Sequence, residues 1–351
     1  MLANKVRVAF ISVLSVLILL CTSCATSLNL RITRPAKLDL NGARTIAVLP
    51  FKPGKYYHDY DTTLGKQILL DAFYEIFDIK DPDEQLAIDT LYSKIENGLY
   101  NSPYIKLVSA ESVQTAIKKG TLNPADVYLT GEVSYFTVKD RNIEERELVK
   151  PANGDEKAEY SIVHYWVRDA MFTFKYQIVD SSSNTIISSN EIRINESSDK
   201  YESKRELPRA YNVIEDELKD AANGILRELQ PYKITKTIYL LEAKKLKDKE
   251  LKKRMKAADK MASDLMPEKA SEEFQKIYEE TGLFEAGYNA SLLQEAAGNL
   301  AVAEKMMSDL FNATMDKRAH KTLEDIQYEI RQENRLKKQV NRTDESDDLG
   351  L

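Results

Sequence analysis

Residues 45–51 read TIAVLPF, and this short apolar run marks the start of the first domain of the chain. Asn41 and Gly42 indicate a turn just before the run, and Pro50 and Pro53 end it. A continuous apolar run of this length, bounded by turn residues on both sides, predicts a buried strand.

The segments after this strand predict two helices, a second strand and a third helix. Apolar side chains recur at helical spacing, first at Leu64, Ile68, Leu69, Ala72, Phe73, Ile76 and Phe77, and then at Leu86, Ile88, Leu91, Ile95 and Leu99. YIKLVS, residues 104–109, predicts the second strand, and residues 110–119 predict a helix that Gly120 stops.

From Asp126 the pattern changes to segments that are rich in β-branched and aromatic residues. We expect strands at residues 126–138, 164–180 and 185–194, the last two joined as a hairpin through the turn at 181–184. Residues 205–229 predict a long amphipathic helix that Pro231 closes. The predicted fold class is α+β, with a mixed β-sheet covered by helices.

The C-terminal third predicts helices and contains a repeat. Residues 233–260 predict a lysine-rich helical stretch, and residues 317–337 predict a capping helix. Between them, Ala270, Phe274 and Ile277 recur 33 residues later as Ala303, Met307 and Leu310, which is close to the ~34-residue tetratricopeptide period. Residues 288–307 resemble one such repeat, whereas residues 251–283 lack the glycine expected at the turn between helices.

The tetratricopeptide resemblance implies a partner-binding groove on the first helix of a pair. Its candidate residues here are Glu285, Tyr288, Asn289, Leu292 and Glu295. The alternative is that Tyr288 and Leu292 belong to the core of the helical domain.

The N-terminus has the order of a secretory signal peptide. Lys5 and Arg7 precede an uncharged apolar run over residues 8–20, which is too short to cross a ~30 Å hydrocarbon core. Residues 21–24, CTSC, resemble a bacterial lipobox, although Cys21 stands where that motif normally has Leu, Val or Ile. The resemblance implies that Cys24 is acylated, with palmitate among its chains, and that the protein is anchored in the cell envelope. Ala25 follows Cys24, and the absence of Asp at that position resembles lipoproteins that are exported to the outer membrane. The periplasmic and surface-facing leaflets both stay open.

A second resemblance covers roughly residues 43–230. TIAVLPF (45–51), ADVYLTGEVSYF (125–136) and QIVDSSSNTIISS (177–189) are similar to segments of the CsgG-type fold, which the curli secretion lipoprotein shares with the outer-membrane activators of penicillin-binding proteins. The whole layout also resembles an uncharacterised family of Bacteroidota envelope lipoproteins. A secretion pore is disfavoured, because the insertion at residues 140–161 is too charged on both faces to contact lipid.

Composition narrows the function classes further. The 351 residues include 50 Lys and Arg against 56 Asp and Glu, so no strong basic field exists for binding nucleic acid. With three His, two Cys and no catalytic motif, we expect no cofactor, no metal site and no catalytic residue. The alternative is an envelope hydrolase or glycan-binding protein, with His58, Asp59, Asp61 or Glu132 as the reactive groups and the cell wall as its target. An oligomeric secretion scaffold is a weaker alternative.

The predicted organisation has five parts. These are a lipoprotein signal peptide at 1–23, a tether at 24–42, the CsgG-like domain at 43–232, a tetratricopeptide-like helical domain at 233–338 and a disordered acidic tail at 339–351. The predicted function is that of a non-enzymatic, lipid-anchored adaptor or assembly factor, whose partners are the membrane and other envelope proteins.

Overall fold

The computed structural model describes residues 26–53, 81–119, 124–151 and 158–344. The signal peptide, Cys24, His58, Asp59, Asp61 and the helix predicted through Leu64 to Phe77 lie outside these residues. The chain divides into two compact units. The sheet unit comprises Pro35–Tyr232 and Lys338–Leu351, and the helical unit comprises Met1–Arg34 and Lys233–Lys337. The predicted α+β fold class with a helical C-terminal part is confirmed.

The described residues of the sheet unit form a mixed five-stranded sheet in the order β3-β2-β4-β5-β6. Its strands are β2 (Thr45–Val48), β3 (Lys106–Val108), β4 (Val127–Lys150), β5 (Glu159–Asp180) and β6 (Thr185–Ser197). β2 pairs in parallel with β3 and β4, whereas β4, β5 and β6 pair antiparallel. The predicted hairpin between the last two strands is therefore present.

The TIAVLPF run is buried on both faces of this sheet. Ile46 and Val48 belong to one core, while Ala47 and Leu49 belong to a separate core on the opposite face. Alternate side chains of a strand point to opposite faces, so an uninterrupted apolar run is what a strand covered on both sides requires.

Within the described ranges, three helices cover the sheet, α1 (Pro82–Tyr100), α2 (Ala110–Lys119) and α3 (Ala210–Leu229). α1 and α3 pack together over the larger core, into which they bury Leu91, Ile95, Leu99, Ile214, Leu218 and Ile225. α2 adds Val113 to the core on the other face. α3 begins at Ala210 rather than at residue 205, because Asp83 accepts a hydrogen bond from the Ala210 N–H and the chain before it forms a 3₁₀ turn at Lys204–Glu206.

The helical unit contains two strands, β1 (Ser27–Arg34) and β7 (Tyr232–Tyr239), at positions where the sequence predicts other structures. β1 lies where a tether is predicted, and β7 lies where a lysine-rich helix is predicted, and the two form a two-stranded sheet. The physical reason is the alternation of apolar residues in SLNLRITR and the β-branched residues of YKITKTIY. Leu28 and Ile238 bury their side chains in the same core.

Five helices follow, with short connections between them. They are α4 (Lys249–Ser263), α5 (Pro267–Thr281), α6 (Phe284–Ala296), α7 (Leu300–Thr314) and α8 (Lys317–Asp344). The six residues of the 33-residue repeat are all buried, three on α5 and three on α7.

Each connection between these helices contains a residue in the left-handed backbone region. Leu265, Gly282, Gly298 and Met315 have φ values of 60°, 67°, 84° and 52°. Leu265 and Gly298 are 33 positions apart, as are Gly282 and Met315. At the turn where the sequence lacks the expected glycine, Leu265 therefore adopts the left-handed conformation that Gly298 adopts one period later.

Candidate protein-binding site

A long hairpin extends the central two strands of the sheet. β6 pairs with β5 only as far as Asp169, and β2 pairs with β4 only as far as Leu129, with one further bridge from Lys52 to Glu132. β4 and β5 nevertheless continue to pair with each other out to Lys150 and Glu159. We call residues 140–150 and 159–168 the hairpin arm, which at ~3.3 Å per residue extends about 30 Å beyond Asp169. Most of the predicted charged insertion is therefore paired strand.

The base of the arm is held by ion pairs. Arg168 donates to both carboxylate oxygens of Asp140, at 2.7 and 2.9 Å, and also donates to the Pro208 carbonyl at 2.8 Å. The hydrogen bond from Arg168 keeps the pKa of Asp140 below its usual value. Trp166 exchanges two backbone hydrogen bonds with Tyr201, and the Lys204 ammonium lies 5.4 Å from the centre of its ring.

Polar side chains interact across the middle of the arm. His164 lies 3.3 Å from the Asn142 side-chain oxygen and 3.7 Å from a carboxylate oxygen of Glu144. Tyr165 donates to Glu147, and this hydrogen bond raises the pKa of Tyr165 to about 12. These contacts are solvent-exposed and join the two strands of the arm, which gives them a structural role.

The distal end of the arm carries an apolar patch. Leu148 pairs directly with Tyr160, and Ile162 lies two residues further along the same face of β5. Their exposed fractions are 54%, 53% and 62%. The Arg146 guanidinium lies 5.0 Å from the centre of the Tyr160 ring. We call Leu148, Tyr160 and Ile162 the apolar tip.

The apolar tip has the properties of a protein-binding surface. Contiguous exposed apolar side chains with polar neighbours mark interaction sites, and Tyr and Arg are enriched at interfaces. Within the described part of the chain, no other strand pairs with either edge of the arm beyond the Trp166–Tyr201 bridge. The sequence alone does not predict this patch, because Leu148 and Tyr160 become neighbours only through the hairpin register.

The predicted groove residues face other parts of the chain itself. Asn289 accepts a hydrogen bond from the Leu241 N–H at 2.7 Å and donates one to the Leu241 carbonyl at 2.9 Å. Leu292 is buried in the helical core, and the Tyr288 hydroxyl lies 2.8 Å from that of Thr322. Glu285 is partly exposed near the start of α6. Leu292 therefore lies in the helical core and Tyr288 packs against it, as the alternative prediction for these two residues states.

The fifth predicted groove residue, Glu295, belongs to a buried network of charges. Lys236 on β7 contacts Glu295 and Glu329, and Arg34 donates to Glu329 through both terminal nitrogens. Burial would raise the pKa of Glu329, but the hydrogen bonds from Arg34 and Lys236 lower it below the usual value. Burial raises the pKa of Glu295, the contact with Lys236 only partly offsets this effect, and repulsion from Glu329 adds to it. The network joins both strands of the helical unit to α6 and α8.

The described residues contain no arrangement that indicates a metal centre. No group of three or more His, Cys, Asp or Glu among them could hold a metal ion. Glu132, a candidate for the hydrolase alternative, lies on β4 opposite Lys175 in the strand register. Over the same described ranges, no helix combines the length and the apolar character needed to cross a membrane.

No family model matches the chain. No curated protein matches it either. Solved structures match at low similarity, and they include the PelC dodecamer from Paraburkholderia phytofirmans, at 12% identity, a TM-score of 0.28, and coverage of 58% of this chain and 98% of that one. Lipoprotein GNA1162 from Neisseria meningitidis matches at 12% identity and a TM-score of 0.22, covering 51% of this chain and 99% of that one. A minor lipoprotein from Acinetobacter baumannii matches at 12% identity and a TM-score of 0.21, with coverage of 53% and 89% respectively.

Proposed function

We propose that this chain is a lipid-anchored, non-enzymatic envelope protein that binds another envelope protein through the apolar tip of its hairpin arm. The observation that carries the proposal is the exposure of Leu148, Tyr160 and Ile162 on one face of a paired ribbon. The lipobox at residues 21–24 supplies the anchor, at Cys24.

The arm is suited to presenting a binding surface. The Asp140–Arg168 pair and the Trp166–Tyr201 bridge hold its base, so the tip loses little conformational freedom when a partner binds. Burying a fully exposed large apolar side chain contributes about 1.5 to 3 kcal/mol, so each of these roughly half-exposed side chains contributes about 1 kcal/mol, and together they supply a central contact of useful strength. Arg146, Lys150 and Glu159 surround the tip with charges that form a polar rim and select the partner.

The predicted groove is less suited to this role. Asn289 and Glu295 already bond to Leu241 and Lys236 of the same chain, so a partner would have to displace those contacts first. Breaking a buried hydrogen-bonded pair leaves unsatisfied polar groups and opposes binding. This cost favours the arm over the groove as the contact surface.

Photo-crosslinking in living cells tests the proposal. Tyr160 is replaced by p-benzoylphenylalanine in the full-length protein, and Tyr239, which is 61% exposed in the helical unit, is replaced in a matched control. The expected result is an ultraviolet-dependent adduct of one defined mass at position 160 and none at position 239. The absence of an adduct at position 160, or adducts of equal yield at both positions, would contradict the proposal. An adduct of twice the mass of this chain would show that the partner is a second copy of the chain rather than a different protein.

A further inference from the structure

The first described residues of the chain pack in the same core as α4. Thr26, the first described residue, accepts a hydrogen bond at 2.9 Å from the Leu240 N–H just after β7. Two residues further on, Leu28 is buried in the core that also contains Met255 and Ala258 of α4. The start of the described chain is therefore fixed against the element that carries the densest cluster of lysines in the sequence.

That cluster lies in the sequence KKLKDKELKKRMK, residues 244–256. Its seven lysine side chains are all exposed, and we call them the lysine face: Lys244, Lys245, Lys247, Lys249, Lys252, Lys253 and Lys256. Among the described residues, none of these ammonium groups takes part in an ion pair.

Two of the other charges in the segment, Asp248 and Arg254, have structural roles, and the third, Glu250, is an exposed carboxylate in the first turn of α4. Asp248 caps α4 by accepting hydrogen bonds from the Glu250 and Leu251 N–H groups, at 2.9 and 3.0 Å. Arg254 pairs with Glu273 and Glu280 on α5. The lysine face is therefore a surface rich in positive charge, and its ammonium groups form no ion pair with the described residues.

Thr26 shares a concave surface with part of this face. A cavity of about 470 Å³ is bordered by Thr26, Lys244, Lys252 and Lys256, and Glu242 and Asp259 also line it. The two carboxylates disfavour an anionic group inside the cavity. The lysines are thus better placed to contact negative charge at the outer surface of the protein than to bind a single anion inside the cavity.

We infer that the lysine face lies against anionic lipid headgroups of the membrane in which Cys24 is anchored. The inference rests on the proposed anchor. Cys24 is two residues before Thr26, and at ~3.8 Å per residue the two Cα atoms are no more than about 8 Å apart. Acyl chains at Cys24 would bring the face close to the bilayer, and lysines near an anionic surface add attraction that acyl chains alone do not supply.

Amine labelling on vesicles tests this inference. The full-length acylated protein, purified from membranes, is reconstituted on vesicles of pure phosphatidylcholine or of phosphatidylcholine with a third phosphatidylglycerol. A water-soluble acetylating reagent is added, and mass spectrometry gives the labelling rate of each lysine. The matched control lysines are Lys269, Lys305, Lys317 and Lys321, which are exposed elsewhere in the helical unit.

The expected result is that anionic vesicles slow the labelling of Lys252 and Lys256 about fivefold, and that high salt removes the difference because it screens the attraction. The control lysines should label at the same rate on both vesicles. Equal rates for the lysine face on both vesicles would overturn the inference while leaving the anchor intact. Protein that floats with neither vesicle would overturn the anchor, and this inference with it.

Discussion

Leu148 and Tyr160 pair directly across the distal end of the hairpin arm, and each keeps more than half of its side chain exposed. Apolar neighbours in this position do little for the stability of the fold, because they bury little surface within the chain. The Asp140–Arg168 ion pair and the Trp166–Tyr201 bridge hold the base of the arm instead. The distal pair is therefore available for a partner.

Gly131 is required by close packing within the sheet unit. A Cβ at this position on β4 would collide with the ring of Phe174 and lie 2.9 Å from the Lys175 carbonyl oxygen. We predict that Gly131→Ala lowers the free energy of unfolding by about 2 kcal/mol, within the range seen for overpacked cores. The matched control is Gly224→Ala on α3, where a Cβ meets nothing within 4 Å and alanine should stabilise the helix by about 1 kcal/mol. Urea unfolding of both variants measures the difference, and equal effects would contradict the packing argument.

Asn289 contributes to the stability of the helical unit rather than to an open groove. Its side chain satisfies both the N–H and the carbonyl of Leu241. Asn289→Ala leaves both backbone groups unpaired, so we predict a loss of about 2 to 4 kcal/mol. Asn299→Ala removes only an exposed hydrogen bond to Gln294 and should cost less than about 0.5 kcal/mol. Thermal unfolding compares the two, and a stable Asn289→Ala protein would be the contrary result.

Asp126 makes the stability of the sheet unit depend on pH. Burial alone would raise the pKa of Asp126, but hydrogen bonds from the Arg44 and Thr45 N–H groups lower it below the usual value. A carboxylate whose pKa is lower in the folded state stabilises the fold above its unfolded pKa, about 3.9, and loses this contribution as the pH falls through the folded value.

The variant Asp126→Asn tests this dependence. We expect it to be less stable than the wild type by about 1 to 2 kcal/mol at pH 7, since the charge-assisted hydrogen bonds are lost. The difference should narrow as the pH falls below about 4, where the wild-type carboxylate takes up its proton. Asp216→Asn, at an exposed position on α3, serves as the control and should show no such narrowing. Urea unfolding from pH 7 to pH 3 provides the measurement, and a difference that stays constant would refute the account of Asp126.

The turn at Leu265 offers a stabilising substitution. Leu265 is 83% exposed and has a φ of 60°, so leucine pays a conformational cost without burying its side chain. We predict that Leu265→Gly raises the stability of the helical unit by about 0.5 to 1 kcal/mol, and that Gly298→Ala, at the equivalent turn with a φ of 84°, lowers it by about 1 kcal/mol. Calorimetry of both variants shows whether each substitution raises or lowers the stability of the helical unit. A destabilised Leu265→Gly protein would contradict the equivalence of the two turns.

Periodicity predicted most of the sheet unit from the sequence. The run at 45–51, the helix through Leu91 and the hairpin after residue 164 all bury one or both faces, and burial imposes a repeat that the sequence displays. β1 and β7 were missed, because short half-buried strands with polar residues at alternate positions resemble a tether or a solvated helix.

The functional surfaces were harder to predict, because they depend on long-range pairing. Leu148 and Tyr160 are separated in the sequence by eleven mostly polar residues, and only the register of the hairpin brings them together. Asn289 and Glu295 occupy the positions that a repeat motif assigns to a groove, but Leu241 and Lys236 pack against them, which local periodicity cannot indicate.

The most direct test of the central claim is recovery of a partner by variants of the apolar tip. Full-length protein is purified from gently solubilised envelopes as the wild type, as Leu148→Ser with Ile162→Ser, and as a matched control, Val302→Ser with Tyr239→Ser, which alters two exposed apolar residues elsewhere. Losing two apolar contacts of about 1 kcal/mol each should weaken binding at least tenfold, with stability unchanged within about 0.5 kcal/mol. We predict one defined envelope protein with the wild type and the control, and at least tenfold less of it with the tip variant. Equal recovery with the tip variant, or no partner with the wild type, would contradict the account.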